Sequence, residues 1–331
     1  MRKLPFRLIA QVSRFRLNQK FQRAIDEAQA GTIAYFWPDS PVELVHYAKR
    51  KGLVCVREMI NSPLATAKPI LDSAYKNAGL EPSHGITQAM VAHETDELAL
   101  YDYVFSSNAK VDAALRTLGI AEERILVSSF GWTEARFPRF ESPASSGDET
   151  GFRAVFVGLM NVRKGIPTLL EAWDIAGLDG ELVLAGAPEE CLKPLIEKAC
   201  QGKRVRHLGH VSDVASLYRS SDVFVFPTHE EGGPQVTYEA AACGLPVITT
   251  PMGAARLVED GRTGSIVPSG DAPALAAAMQ RLASDESLRR RMSIKATRQV
   301  GRFEYRAVGA ERARMLLTCA ARLRQEPAAA S

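Results

Sequence analysis

Residues 223–250 read VFVFPTHEEGGPQVTYEAAACGLPVITT. The apolar run Val223–Phe226 predicts a buried strand that ends at Pro227. A polar loop follows with Glu230, Glu231, Gly232 and Gly233, then a short Ala-rich helix that carries Glu239 and closes at Gly244. Leu245–Thr250 predicts the next strand. One carboxylate thus stands at the end of a strand and a second on the helix after it, with seven residues between them. Pro234 suits the first helical position, which aims free backbone N–H groups at the Gly-Gly loop. The expected product is a pocket with an anion-binding floor and two carboxylates, Glu231 and Glu239, at its walls. Ionised carboxylates accept paired hydrogen bonds from vicinal hydroxyls. An anion flanked by two diols describes a nucleotide sugar.

Outward from this stretch, strand and helix patterns alternate nearly throughout. Thr32–Trp37, Leu53–Met59, Tyr103–Ser106 and Ile125–Ser128 predict strands, with helices over Pro41–Lys51, Ala109–Leu118 and much of 64–99, broken around Pro82 and Gly85. Residues 141–150 are small and polar and predict a linker. A second series follows, with strands at Ala154–Val157, Leu182–Ala185, Val223–Phe226 and Val247–Thr249 and helices at Ile166–Ile175 and Glu189–Cys200. Two helices close the chain, about 272–299 with a break near Asp285, and about 303–325. Repeated strand–helix units imply an α/β fold with parallel sheets covered by helices. The expected organisation is a first Rossmann-like domain over 1–140, the linker, a second domain over 151–300, and a C-terminal helix over 301–331 that crosses back to the first. Ligands of such sheets sit outside the carboxyl ends of the strands, where the loops after Val157 and Phe226 fall.

The 331 residues are 46% apolar and 24% charged, which fits two ordinary globular cores. No apolar stretch approaches the roughly 20 residues of a spanning helix. Cys55, Cys191, Cys200, Cys243 and Cys319 are scattered without metal-ligand spacing, which predicts buried thiols in a reducing, cytoplasmic compartment. A net charge of +3 gives nucleic-acid binding no support. Residues 1–23 carry seven Lys and Arg before the first acid, Asp26, interleaved with Phe6, Leu8, Ile9, Phe15, Leu17 and Phe21. That segment reads either as a basic amphipathic helix on anionic lipid, at the inner face of the membrane, or as a solvated first helix. There is no glycine-rich dinucleotide fingerprint, P-loop, Cys/His metal pattern or Asp-x-Asp pair, so neither a cofactor nor a metal is expected.

The loop after Val157 reads Gly158-Leu-Met-Asn-Val-Arg-Lys-Gly165. Arg163 and Lys164 beside a helix N-terminus suit a diphosphate and a leaving group that gains charge. Taken alone, Arg-Lys-Gly also fits an ordinary polar loop. The Glu231/Glu239 pair is more specific, because the small residues Ala240, Ala241, Ala242 and Gly244 let its helix pack close to a sheet or a ligand. Arg57 and Glu58 end a strand; a surface ion pair is preferred to an acceptor role for them. His46 and His93 lie on helical stretches and are assigned no catalytic part.

Glu231-Gly232…Glu239-Ala240…Cys243-Gly244-Leu245-Pro246 resembles the signature of retaining family 4 glycosyltransferases of the GT-B fold. Gly158…Arg163-Lys164-Gly165 resembles the donor diphosphate loop of that family, and Leu208-Gly209-His210-Val211 its nucleobase-side loop. Asp260-Gly261-Arg262-Thr263-Gly264, and Leu100–Val104 with Gly131 and Phe137, add to the likeness, which covers roughly 95–325 and is most specific over 152–271. The resemblance implies two Rossmann-like domains facing across a cleft, and metal-independent transfer of a hexose with retention. The donor would be a UDP- or GDP-type sugar and the acceptor a glycan or lipid-linked glycan, as in cell-envelope polysaccharide synthesis. Glu231 would bond the donor sugar as the catalytic residue, and Glu239 the ribose. Arg163, Lys164 and Gly158 would hold the diphosphate. Gly232, Gly233, Pro234 and Gln235 would bring backbone groups to sugar and phosphate, and His210 and Val211 would flank the base. The chain departs from the family in having Leu159 where relatives carry Arg, and Glu-Gly-Gly-Pro for Glu-Gly-Phe-Gly. It also opens on the basic segment where the family has a strand and a glycine-rich loop, so a shortened N-terminal domain is expected. Two other readings stay open: a nucleotide-sugar-binding subunit without turnover, and a GT-B nucleotide-sugar epimerase.

Overall fold

The computed structural model describes residues 6–140, 151–202 and 204–325, with side chains for those between 13 and 322. The predicted linker 141–150 and the first five residues of the basic segment lie outside the described residues. Two parallel sheets form the frame. The first joins β1 (Ile33–Phe36), β2 (Val54–Glu58), β3 (Tyr103–Ser106) and β4 (Ile125–Val127) in that order. The second holds β5 (Phe152–Val157), β6 (Gly180–Ala185), β7 (Val205–Gly209), β8 (Val223–Phe226), β9 (Val247–Thr249) and β10 (Gly264–Ile266). Its order is β10-β9-β8-β5-β6-β7. The hydrophobic pattern does not mark β7, an edge strand that alternates buried and exposed residues around Arg206 and His207, or the three-residue β10. Glu189–Cys200, expected as one helix, is a 3₁₀ turn over Glu190–Leu192 followed by a helix over Lys193–Cys200.

In the first sheet the strands follow one another without reversal. Right-handed crossovers in one direction set the connecting helices on one face. The helices Val42–Arg50, Gln88–Leu100 and Ala109–Thr117 bury Val45, Ala48, Leu98, Val111 and Leu115 against Phe36, Cys55 and Val104 there. Ile25 of the helix Phe6–Glu27 joins them. Side chains alternate along a strand, so Val54, Val56, Tyr103 and Phe105 point the other way. They are covered by Cys319, Met315 and Leu316 of the last helix, Tyr305–Gln325. Each large apolar side chain so buried contributes about 1.5–3 kcal/mol. The segment that follows the second domain in sequence therefore completes the core of the first.

The second sheet reverses direction between β5 and β8. Both strands are central, and all four residues of β8 are buried. Phe224 and Phe226 stack on one another, and Phe156 on Phe226. Three helices of this domain begin at side-chain caps that satisfy free backbone N–H groups. Asp213 accepts from Ser216 N–H and Asp271 from Ala274 N–H. Asp285, where the break is expected, ends the helix Ala272–Ser284 and caps Glu286–Val300 through Leu288 N–H.

Candidate active site

The loops after β5 and β8 emerge on either side of the point where strand order reverses, the place where such a sheet opens a crevice for ligands. The first carries Arg163 and Lys164, the second Glu230 to Gly233. Gly165 locks them together. Its φ of 74° suits glycine, and a Cβ there would stand 2.1 Å from Pro227 O. The Lys164 ammonium meets the Glu231 carboxylate, and it lies 5.4 Å from the centre of the Phe226 ring. Burial, with Arg163 adjacent, pushes Lys164 down from the ordinary lysine value to about 7. Thr228 Oγ1 lies 3.4 Å from Glu231 Oε1.

Glu230 has a role here that sequence reasoning did not assign. It is 1% exposed. Arg163 Nε stands 2.7 Å from its Oε2, while Ser62 N–H and Oγ–H donate to its Oε1 at 2.8 and 2.6 Å. Arg163 Nη2 also donates to Asn61 Oδ1 at 2.7 Å. Asn61 and Ser62 belong to the loop after β2, in the first domain. Where the sequence predicts a pocket with an anion-binding floor, Arg163 and Lys164 meet the carboxylates of Glu230 and Glu231. Half-buried cations gain from a nearby opposite charge, and here each has a carboxylate. Gly232 and Gly233 abut the first domain. A Cβ on Gly232 would stand 2.1 Å from Ile60 O, and one on Gly233 2.3 Å from the Phe130 ring.

The structure thus brings Arg163, Lys164, Glu231, Gly232 and Gly233 together. Pro234 is buried and caps the helix Gln235–Ala242 from outside, so helical geometry begins at the exposed Gln235 and not at the proline. Glu239 is half-buried on that helix, where burial raises its carboxyl to about 7 against the pull of Arg136. Gly158 ends β5 with φ of 146°. His210 is exposed and Val211 half-buried just past β7, two strands from β5 and hence roughly 10 Å away. A separate cavity of about 650 Å³ opens between Ala74, Trp173, Leu195 and His229 and includes neither Glu231 nor Glu239.

Arg57 and Glu58 are not the surface pair expected. They are 2% and 1% exposed and point to opposite faces of β2. Arg57 donates to Glu97 at 2.8 Å and lies 3.6 Å from Glu94. Glu58 accepts from Tyr35 OH and from Arg312 of the last helix. Buried charges need partners, and a strand supplies them on both faces. The cysteines depart from expectation too. Cys55, Cys243 and Cys319 are buried, but Cys200 is half-buried and Cys191 exposed, because each lies near an end of the short Glu190–Cys200 segment.

Two facing α/β domains with a crevice at a strand-order reversal define the GT-B class, and solved structures bear this out. Sucrose-phosphate synthase from Thermosynechococcus elongatus superposes with a TM-score of 0.74 at 20% identity, over 97% of this chain and 81% of its own. HepE of Anabaena, solved with UDP, gives 0.70 at 16% identity over 91% and 81%. Residues 151–285 match the family described as glycosyl transferases group 1, and the second domain belongs to it. The capsular polysaccharide biosynthesis glycosyltransferase CapM of Staphylococcus aureus is 31% identical over 244 residues, 68% of this chain and 63% of that protein. D-inositol 3-phosphate glycosyltransferase from Arthrobacter sp. (strain FB24) is 33% identical over 171 residues, 48% of this chain and 40% of that protein. The chain spans less than two thirds of the length of these curated relatives.

Proposed function

We propose that the protein is a glycosyltransferase that moves a sugar from a nucleoside diphosphate onto a glycan or lipid-linked acceptor, with retention at the anomeric carbon and without a metal. The observation that carries this reading is the Lys164–Glu231 contact at the reversal between β5 and β8. One cation and one carboxylate, both largely buried, face each other where a phosphate and a sugar hydroxyl would meet. Relatives with related sequences include a capsular polysaccharide glycosyltransferase, and HepE was solved with UDP.

With donor bound, the diphosphate replaces Glu231 as the partner of Lys164. The freed Glu231 accepts hydrogen bonds from donor-sugar hydroxyls. The bond between the anomeric carbon and the phosphate oxygen breaks, and charge collects on the leaving diphosphate. Arg163 and Lys164 stabilise that charge most where it is greatest, in the transition state. The acceptor hydroxyl forms the new bond on the face the phosphate leaves, and its proton passes to the departing phosphate oxygen. Glu239 takes the ribose diol and His210–Val211 the base. The reading is tested by incubating the protein with UDP- and GDP-sugars, with and without envelope glycan acceptors. Acceptor-dependent release of nucleoside diphosphate supports it. Conversion of the free donor at C2 favours an epimerase, and donor binding without turnover favours a binding subunit.

The helix Phe6–Glu27 supports peripheral contact with anionic lipid. Phe15 and Leu17 are 63% and 65% exposed between exposed Arg14, Arg16 and Lys20. Among the described residues no helix is long and apolar enough to cross a membrane. Such a surface combines apolar insertion with attraction worth about 1 kcal/mol per basic residue near an anionic membrane. Replacing Arg14, Arg16 and Lys20 by Glu should abolish co-sedimentation with phosphatidylglycerol vesicles and leave nucleotide binding intact. Undiminished co-sedimentation would remove the lipid contact from the account.

A further inference from the structure

The carboxylate of Glu230 gives one oxygen to each domain. Its Oε2 holds Arg163 Nε at 2.7 Å, within the second domain. Its Oε1 is held by the backbone and hydroxyl of Ser62, in the first domain, at 2.8 and 2.6 Å. The neighbouring Asn61 takes Arg163 Nη2. Arg163 also donates from Nε to the Glu230 carbonyl at 3.2 Å. The guanidinium is thereby fixed along its Nε–Nη2 edge, which leaves both N–H groups of Nη1 and one of Nη2 to meet an anion. The fixing depends on the Asn61–Ser62 loop being in place.

That loop is itself held firmly. Leu64 N–H donates to Glu94 at 2.5 Å at the start of the helix Leu64–Asn77. Glu94 lies against the buried Arg57. On the opposite side, the absence of a side chain at Gly232 lets Ile60 approach. A second contact between the domains lies beyond Gly233, whose backbone abuts Ser107. There Arg256 reaches Asp112 at 2.8 Å and Asn108 Nδ2 donates to Met252 O at 2.7 Å. The second contact has no bond to Arg163, Lys164 or Glu230. Glu230 and Asn61 together tie the first-domain loop to Arg163, and only Glu230 contacts both Arg163 and Ser62.

We infer that Glu230 is a positioning residue: it aims Arg163 at the donor diphosphate, and does so only while the loop Asn61–Ser62 of the first domain is docked. The inference rests on the transferase reading and deepens it, by making donor affinity a property of both domains. A competing role would be simple neutralisation, in which Glu230 masks the charge of Arg163. The two differ in sign. Masking predicts that Glu230→Gln tightens binding of an anion, because a negative charge is removed. Positioning predicts that it weakens binding, because the amide cannot accept on both arms.

The test is titration calorimetry of the full chain with inorganic pyrophosphate, UDP and GDP, for the wild type, Arg163→Ala, Glu230→Gln, Ser62→Ala and the Glu230→Gln/Ser62→Ala double variant. Ser62→Ala leaves the charge of the site unaltered and lies outside the second domain. We expect Glu230→Gln to weaken binding about tenfold, Ser62→Ala about threefold to fivefold, and the double variant no more than Glu230→Gln alone. In turnover, the donor KM should rise with the acceptor KM unchanged. Wild-type affinity in Ser62→Ala, tighter binding in Glu230→Gln, or additive losses in the double variant would each overturn the inference. If Arg163→Ala binds as the wild type does, or no probe binds the wild type, the donor reading itself fails and the inference with it. Should Glu230→Gln not fold, Ser62→Ala and Asn61→Ala carry the same test, since neither removes a buried charge.

Discussion

The two sheets solve the same packing problem in different ways. The second reverses its strand order, and the reversal both distributes helices over two faces and opens the crevice where Lys164 meets Glu231. The first runs β1 to β4 in one direction. Its connecting helices fill one face, and the other is left to the last helix, which reaches it from beyond the second domain. Covering that face is tied to a buried ionic contact, Arg312 with Glu58 and Tyr35. Strand topology thus places the Lys164–Glu231 pair in one domain and the dependence on the last helix in its neighbour.

If that division holds, variants of the two domains should fail in different ways. The largest loss falls on the second. Glu231→Ala should cut kcat/KM about 1,000-fold, as removal of a group that acts at the reacting centre does. Urea unfolding should change less, because Lys164, pushed down to about 7, can shed its proton when its carboxylate is lost, and turnover near the wild-type value would remove Glu231 from the chemistry. Arg312→Met should do the opposite. It strands the Glu58 carboxylate, whose pKa burial already raises, and should cost about 3 kcal/mol of stability in urea. UDP or GDP binding to the folded protein should survive it. A pH effect on this variant follows from the sign of the shift. Without its cation Glu58 stays protonated to higher pH, so the deficit should shrink as pH falls.

Gly232→Ala comes next, because it affects the boundary between the domains. The added methyl would collide with Ile60 O. Displacing the loops by about 1 Å should cost about 100-fold in kcat/KM, and the backbone clash should cost about 1–3 kcal/mol in urea. A fully active Gly232→Ala would mean that the domains do not work in this closed arrangement. The smallest effect is on pH. Lys164, pushed down to about 7, is a cation only below that value, and Glu239, pushed up to about 7, is an anion only above it. The donor kcat/KM should therefore peak near pH 7 and fall on both sides. In Glu239→Gln the acid limb should vanish and the alkaline limb remain. A flat profile from pH 6 to 8 would show that neither group titrates in the free enzyme.

Much of this organisation is legible in the chain. The bounds of β3 and β8 follow from runs of apolar residues between polar ones, and the break at Asp285 from its capping chemistry. The loop that carries Arg163 and Lys164 and the loop that carries Glu231 and the glycines each stand at a strand's carboxyl end, because a strand–loop–helix unit fixes each one locally. What the chain conceals is long-range. The partner of Glu230 is Ser62, 168 positions away, and nothing in either local pattern joins them. Arg57 and Glu58 look like neighbours in sequence, yet the two-residue period of a strand separates them by the thickness of the sheet. β7 escapes because an edge strand can alternate charges with buried residues. The pairing of the cations with Glu230 and Glu231 is tertiary too, a consequence of two loops meeting at the reversal.

The central claim is that this reversal binds a nucleoside diphosphate. Thermal unfolding with UDP, GDP and ADP, with chelator present, tests it most directly. One nucleotide should stabilise the protein, by about 2.7 kcal/mol at a hundredfold excess over its Kd, and Glu239→Ala should abolish the effect. No stabilisation by any of the three, or the same stabilisation in Glu239→Ala, would contradict the account.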